Sequence, residues 1–168
     1  LDKEYVFEIL FGFETDTADV LGLVQEISRK TSFDEMSIRA AAKAQVGKSK
    51  RPYPAFSSKT VKGKPLHAHA LDGTADGIEV PQAEMRVYTI EVLSVREGSR
   101  QNILADIELK LDALQIDEKS AHPYKDFRKD AIKEKWREVL GGEGTCVVAT
   151  LRSIVVSCTY IRTLAPAI

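Results

Sequence analysis

The chain has 168 residues with a formal net charge of −1 and 43% hydrophobic residues, a composition typical of a soluble globular protein of one domain. Its apolar runs are far shorter than the roughly 20 residues that span a bilayer, and no signal peptide opens the chain. Two cysteines, Cys146 and Cys158, exclude a disulfide framework and are not spaced as metal ligands, so a reduced, cytoplasmic protein is expected.

The first predicted elements are a strand, a turn and a helix. Residues 5–13 are rich in aromatic and β-branched side chains, which predicts a strand ending at Gly12. The Asp- and Thr-rich residues that follow are typical of a turn. Ser32 and Glu35 fit a capping box, which predicts a helix from there to Gly47.

A basic segment and a second strand follow. Residues 48–65 are punctuated by proline and are expected to be extended, and a short helix ending at Gly73 comes next. The side chains of residues 84–95 follow the two-residue alternation of a strand. Val87, Thr89 and Glu91 are predicted on one face, and Tyr88, Ile90 and Val92 on the other.

The last predicted elements are two helices and a long strand. Residues 102–114 fit either a strand or a helix, and the helical spacing of their apolar side chains favours a helix. Residues 126–142 predict a helix with Asp126 as a possible N-cap and Gly141 as terminator. Residues 145–158 predict a strand. This order predicts an α+β fold with a mixed, mostly antiparallel sheet flanked by helices.

Positive charge is concentrated in one part of the chain. Residues 36–71 hold eight of the 24 basic residues and none of the 25 acidic ones. Such segregation produces a local positive field that suits RNA or another phosphate ligand. The alternative is a solvated lysine-rich loop that binds no ligand. The eight are Arg39, Lys43, Lys48, Lys50, Arg51, Lys59, Lys62 and Lys64.

No complete catalytic set emerges from residue types and spacing alone. The three histidines are expected on the surface or in loops: His67, His69 and His122. An acidic cluster could bind a metal or act as a general base, but its threonine-rich context favours capping of backbone N–H groups: Glu14, Asp16 and Asp19. Both cysteines lie in strand patterns and are predicted to be small core residues.

Arg162 stands in "SCTYIRTLA" (157–165), which otherwise resembles a buried strand. Tyr160 and Arg162, two residues apart, would then share one face. That face could seat a planar, flipped base by stacking and an ionic anchor. Alternatively, Arg162 is paired structurally with one of the many acids. Tyr5, at the edge of the first strand, is a second aromatic residue that could either stack on such a base or pack in the core.

Three segments together resemble the TruB-type tRNA pseudouridine synthases. "KEYVFEILFGFETDTADVLG" (3–22) resembles the K-x-Y and G-x-x-T-D-T-x-D-x-x-G segments of that family. "RPYPAFSSKTVKGKPLHAHALDG" (51–73) is similar to its P-P-x-[FY]-S-[AS]-K-x-x-G-K segment. "CTYIRTLA" (158–165) is similar to G-T-Y-I-R-[ST]-[LI]-A. The three segments occur in the family's order and cover most of the chain.

The resemblance implies isomerisation of the T-loop uridine of tRNA to pseudouridine, with no cofactor and no metal. It implies that Tyr5 packs on the target base, that Tyr160 lines the pocket and that Arg162 pairs with the nucleophilic aspartate. A thumb-like loop, at about 48–73, would grip the T arm of tRNA, and the protein is expected to be a monomer. The residues expected to contact RNA are Lys48, Lys50, Arg51, Lys59, Lys62 and Lys64.

The departures from the family pattern lead to further expectations. The family nucleophile lies in a G-T-L-D-P motif that the 168 residues do not contain. Residues 1–168 are therefore expected to be the central and C-terminal part of a catalytic domain and to be inactive alone. Cys158 replaces a glycine, which strains the turn if that glycine has a positive φ. Residues 112–144 are expected to be an inserted helical element. The alternative function is a non-catalytic RNA-binding module with the same fold.

Overall fold

The computed structural model describes residues 2–28, 33–74, 77–114 and 128–168. The strands are β1 (Asp2–Leu10), β2 (Phe13–Thr15), β3 (Val24–Ile27), β4 (Gly47–Pro52), β5 (Thr60–Val61), β6 (Lys64–Pro65), β7 (Gln82–Ser99) and β8 (Thr145–Val156). The helices are α1 (Glu35–Ala44), α2 (Leu66–Leu71), α3 (Arg100–Asp112), α4 (Lys129–Leu140) and α5 (Ile161–Leu164), and a 3-10 turn covers Ala165–Ala167.

The central sheet has four strands in the order β1-β8-β7-β4, and every neighbouring pair is antiparallel. Two small hairpins, β2–β3 and β5–β6, stand apart from it. The predicted α+β class with a mostly antiparallel sheet is confirmed. In the described ranges, no helix is long and apolar enough to cross a membrane.

Helices pack on both faces of the sheet. Alternate residues of β8 point to opposite faces, so Leu151 and Val155 lie on one side and Cys146 on the other. Leu151 packs in a cluster with α1, and Val155 in a cluster with Leu164 of α5. Cys146 packs with the apolar faces of α3 and α4. The candidate site forms where α4, α5 and the β2–β3 turn meet at the β1 edge of this sheet.

The alternation predicted for β7 is interrupted by a β-bulge. Val87 pairs with Val155, but Thr89 already pairs with the next residue of β8, Ile154, so Tyr88 is the extra residue. Val87 is therefore buried while Thr89 and Glu91 are exposed. The prediction that these three share one face is wrong, because the bulge moves the alternation by one residue.

A helical excursion, residues 100–144, interrupts the β7–β8 hairpin. Ser99 pairs directly with Thr145, and the Arg100 N–H donates to the Gly144 carbonyl at 3.0 Å, so the ends of the excursion are adjacent. It contains α3 and α4, both predicted as helices. The excursion thus begins before residue 112; its status as a family insertion stays a prediction.

Two helix starts differ from the sequence prediction. Asp34 is the N-cap of α1, accepting from the Ser37 N–H at 2.8 Å, and Glu35 is the first helical residue. Asp34 takes the position assigned to Ser32 because its carboxylate reaches the third N–H beyond it. Ser32, Asp126 and His122 lie outside the described residues. Helix α4 has Arg128 as N-cap and ends before Gly141, as predicted.

The segment that contains Arg162 is a short helix, so its interpretation as buried strand is wrong, and with it the prediction that Tyr160 and Arg162 share one strand face. β8 ends at Val156, Tyr160 is the extended N-cap of α5, and Arg162 lies within α5. The strand ends because Cys158 has a φ of +76°, which no strand residue adopts. Cys158 is also exposed, not a core residue as predicted, whereas Cys146 is buried.

Replacing Cys158 by glycine is expected to stabilise the fold. An L-residue at a φ of +76° carries strain that glycine relieves, and the greater flexibility of glycine in the unfolded chain offsets part of the gain. We expect a net gain of about 0.5–1 kcal/mol in the free energy of unfolding, measured by urea denaturation. Cys158→Ala keeps the Cβ and should show no gain; equal effects of the two variants would contradict this explanation.

Candidate active site

The site is built on the turn between β2 and β3, residues 15–23, which two aspartates organise. Asp16 Oδ1 accepts from the Leu23 N–H at 2.8 Å, and Asp19 Oδ1 accepts from the Leu21 N–H at 2.9 Å. The backbone capping favoured by the sequence is therefore confirmed. A Cβ at Gly22 would lie 2.6 Å from Asp16 Oδ1, so the turn requires glycine there.

Each aspartate uses its second oxygen to bind an arginine from another element. Asp19 Oδ2 lies 3.3 Å from Arg162 Nη1, and Asp16 Oδ2 lies 2.7 Å from Arg128 Nη1. Both oxygens of both carboxylates are engaged, which suits structural anions better than an attacking nucleophile.

Arg162 has a second contact that joins the turn to the basic segment. Its Nη2 donates to the Phe56 carbonyl at 3.1 Å, while Nη1 faces Asp19. One third of the side chain remains exposed, as does one third of Asp19. The guanidinium is thus oriented by two elements and still accessible. The partner that sequence reasoning could not identify is, within the described residues, Asp19.

A groove of about 400 Å³ opens beside this ion pair. Its charged lining consists of three acidic residues and one arginine: Glu8, Glu14, Asp19 and Arg162. Its apolar wall includes side chains from β1, β2, α4 and the C-terminal segment: Phe7, Ile9, Phe13, Trp136, Ile161 and Pro166. A concave, mostly apolar groove with a few convergent polar groups has the general character of a ligand site.

The two tyrosines predicted at the site lie on different elements. Tyr5, half-buried on β1, packs against the cluster of Val87, Val155 and Leu164. Tyr160, at the start of α5, meets the ring of Tyr53 edge-on, with 5.7 Å between centroids. Their predicted roles rest on the family resemblance and stay predictions.

Three lysines of the basic segment lie after Phe56, on a loop and on the β5–β6 hairpin: Lys59, Lys62 and Lys64. Lys59 lies over the Tyr53 ring at 5.1 Å. Lys62 and Lys64 belong to the β5–β6 hairpin, whose two-residue turn is Lys62–Gly63, both with positive φ. Lys64 forms an ion pair with Asp72.

The other three predicted RNA contacts lie on β4. Lys48 and Lys50 are exposed on the face of the sheet opposite Arg51, because strand residues alternate. All three guanidinium nitrogens of Arg51 donate internally, to Ser49, to Gln45 and to the Thr163 carbonyl at 2.8 Å. Arg51 therefore ties β4 to α5, and Lys48 and Lys50 point away from Arg162.

Within the described ranges, the histidines, the buried cysteine and the acidic groups add no catalytic constellation. His69 is buried in α2, with Nε2 3.1 Å from the Val61 carbonyl, so its prediction as a surface or loop residue is wrong. Burial raises the pKa of the Cys146 thiol, which opposes reactivity. Among the described residues, no group of three His, Cys, Asp or Glu side chains could hold a metal ion.

Sequence reasoning missed three residues that complete the site: Phe56, Arg128 and Trp136. Trp136 donates from Nε1 to the Val20 carbonyl at 3.0 Å, and its ring meets that of Phe13. Trp136 lies on the buried face of α4 with Ile132 and Leu140. Nothing in the local pattern of α4 indicates which turn that face meets.

A family model matches the larger part of the chain. The model of the N-terminal domain of TruB family pseudouridylate synthases matches residues 1–113. The chain belongs to the TruB family. Helix α4, β8 and α5 lie beyond the residues matched to that TruB domain.

Over the aligned residues, curated TruB relatives are about one-third identical in sequence to this chain. The tRNA pseudouridine synthase B of Caldanaerobacter subterraneus is 32% identical over 107 residues, which is 64% of this chain and 36% of the relative. That of Saccharophagus degradans is 34% identical over 98 residues, covering 58% and 31%. That of Borreliella afzelii is 35% identical over 95 residues, covering 56% and 32%. The match spans about a third of each TruB relative's length.

Proposed function

We propose that this protein is a tRNA pseudouridine synthase that isomerises the T-loop uridine of tRNA without a cofactor. The observation that carries the proposal is the Arg162 guanidinium, oriented by Asp19 and by the Phe56 carbonyl and accessible in a groove. Membership of the TruB family and similarity to curated relatives named tRNA pseudouridine synthase B support the same activity.

In the proposed reaction, an aspartate carboxylate attacks C1′ of the flipped nucleotide and displaces the base, so that the bond between N1 and C1′ breaks. The base turns and C5 bonds to C1′, which displaces the carboxylate; the C5 proton is then lost to solvent and N1 is protonated. The attacking aspartate comes from a G-T-L-D-P segment, which the 168 residues do not contain. Arg162 pairs with that carboxylate, and Asp19 holds the guanidinium in place.

The aromatic residues are proposed to hold the extruded base. Tyr5 packs on the base, and Tyr160 lines the pocket. The edge contact of Tyr160 with Tyr53 supports a fixed ring at the start of α5. Stacking on an aromatic ring offsets part of the cost of taking a base out of its helix.

The basic segment is proposed to bind the phosphates of the T arm, with one protein monomer per tRNA. Lys59, Lys62 and Lys64 stand on the loop and hairpin that follow Phe56. They are therefore connected to the Arg162 site through Phe56. Lys48 and Lys50 are close to these lysines in sequence but lie on the opposite face of β4 from Arg51. Arg51 is connected to the site because it donates to the Thr163 carbonyl of α5.

The lysines should separate into two groups in a binding experiment. Changing Lys59, Lys62 and Lys64 together to glutamine is expected to weaken binding of a T-arm stem-loop. It should also lower the slope of log affinity against log salt by about 2, since each phosphate contact releases counterions. The control, Lys48→Gln with Lys50→Gln, should change the slope by less than about 0.5. Equal slope changes per lysine would contradict this division.

The 168-residue chain alone is expected to bind the T arm weakly and to release no C5 tritium from labelled uridine. The reason is the missing G-T-L-D-P segment, which carries the nucleophile in the proposed reaction. Tritium release by the 168-residue chain would place the nucleophile among these residues. Binding without turnover, by a protein that includes the G-T-L-D-P segment, would instead support the non-catalytic RNA-binding module.

A further inference from the structure

Helix α4 is anchored to the aspartate turn, although it lies in the excursion between β7 and β8. Trp136 is 1% exposed, meets the Phe13 ring at 5.4 Å between centroids, and donates to the Val20 carbonyl. A tight turn would suffice to join Ser99 and Thr145, because these two residues are paired and the Arg100 N–H already donates to the Gly144 carbonyl. The excursion therefore adds contacts to the site that the sheet does not need.

Arg128, at the start of α4, carries this anchoring to the charged groups. Its Nη1 lies 2.7 Å from Asp16 Oδ2, and both side chains are largely buried, at 24% and 14% exposed. Its guanidinium also lies over the Phe56 ring, 5.2 Å from the centroid. Arg128 thus contacts one aspartate of the turn and Phe56.

Arg162 contacts the same two elements from the other side, through Asp19 and the Phe56 carbonyl. Two arginines from different parts of the chain therefore connect the turn to Phe56. Any movement of the turn or of Phe56 that separates one pair also disturbs the other, because Asp16 and Asp19 belong to one hydrogen-bonded turn.

The backbone of Arg128 is a second, independent observation. Its φ of 56° and ψ of 31° are left-handed, a conformation that costs a non-glycine residue free energy. Such strain in a structured protein is often retained at functional positions. A glycine would begin the helix with less strain but would lack the side chain that reaches Asp16 and Phe56.

We propose that Arg128 is a positioning residue that fixes the Asp16–Asp19 turn and Phe56 so that Arg162 is correctly oriented. This inference rests on the proposed function only for its RNA readout. It assigns a role to the α3–α4 excursion: to supply the second arginine of the site.

The test compares Arg128→Gly with Arg128→Lys and with the control Arg137→Ala in the 168-residue chain. Glycine suits the left-handed backbone, so the melting temperature should not fall. Hydrogen exchange of the Leu21 and Leu23 amides should accelerate about tenfold, and affinity for a T-arm stem-loop should fall about fivefold. Lysine keeps the charge and should restore most of the protection, and Arg137→Ala, on the exposed face of α4, should resemble wild type.

The outcomes separate this inference from the proposed function. Wild-type exchange and wild-type affinity in Arg128→Gly would overturn the inference. Faster exchange in Arg128→Gly, with no RNA binding by the wild-type chain, would retain the positioning role and count against the proposed function. A double-mutant cycle with Arg162→Ala adds a further measure, since two arginines acting on one turn should show non-additive affinities.

Discussion

Arg162→Ala in a protein that includes the G-T-L-D-P segment is expected to lower turnover by about 100- to 1000-fold. The variant removes the cation proposed to pair with the nucleophile. The effect on stability should be small, because the Arg162–Asp19 pair is one-third exposed and such pairs contribute about 1 kcal/mol or less. Single-turnover tritium release from a T-arm stem-loop and the melting temperature measure the two effects separately.

Arg152→Ala is the matched control for that variant. Arg152 pairs with Glu91 at 2.7 Å on the exposed face of the sheet, away from the groove. Its loss removes an ion pair of similar kind without touching the site, so turnover should stay near wild type. A decrease in the Arg162→Ala rate that only follows the loss of folded protein would instead support a structural ion pair.

Trp136→Ala is expected to cost about 3–5 kcal/mol in the free energy of unfolding. The side chain is 1% exposed and lies in the cluster that joins α3 and α4 to Val24 and Cys146. Its removal leaves a cavity between α4 and the aspartate turn and an unpaired Val20 carbonyl. Urea denaturation followed by circular dichroism measures the loss.

Two controls separate the contributions to that loss. Trp136→Phe keeps an aromatic ring but removes the indole donor, so its cost should be clearly smaller than that of alanine. Glu134→Ala, at an exposed position of the same helix, should change stability by less than about 0.5 kcal/mol. A loss below about 1 kcal/mol for Trp136→Ala would contradict the packing of α4 on the turn.

The elements with long apolar patterns could be predicted from sequence. α4 and β8 follow helical or strand periodicity over ten or more residues, and the structure confirms both. The pattern of α3 fits either a strand or a helix, and the structure confirms the helix that its apolar spacing favours. The register within β7 could not be predicted in the same way. The bulge at Tyr88 depends on how β7 pairs with β8, which is a property of two strands and not of one.

The C-terminal segment shows why local patterns mislead. Its alternation resembled a strand, but the left-handed backbone of Cys158 ends β8 and α5 begins after Tyr160. The partner of Arg162 was equally inaccessible to local analysis, because Asp19 lies 143 residues away. Only the packing of α5 near the turn brings the two together.

The positive charge of the basic segment could be predicted from sequence. Which of its lysines lie near the site and which lie away from it could not. Strand alternation in β4 directs Lys48 and Lys50 to the opposite face from Arg51. The internal contacts of Arg51 with Thr163 and Gln45 required the fold. Charge density therefore predicts a positively charged segment, and the three-dimensional arrangement distinguishes lysines near the site from those away from it.

The most direct test of the central claim uses tRNA labelled with tritium at C5 of the T-loop uridine alone. The protein tested must include both the G-T-L-D-P segment and the residues described above. We expect release of one tritium per tRNA, because bonding of C5 to C1′ displaces the hydrogen at C5. Tight binding of that tRNA with no tritium released would contradict the claim that Arg162 and Asp19 belong to a pseudouridine synthase active site.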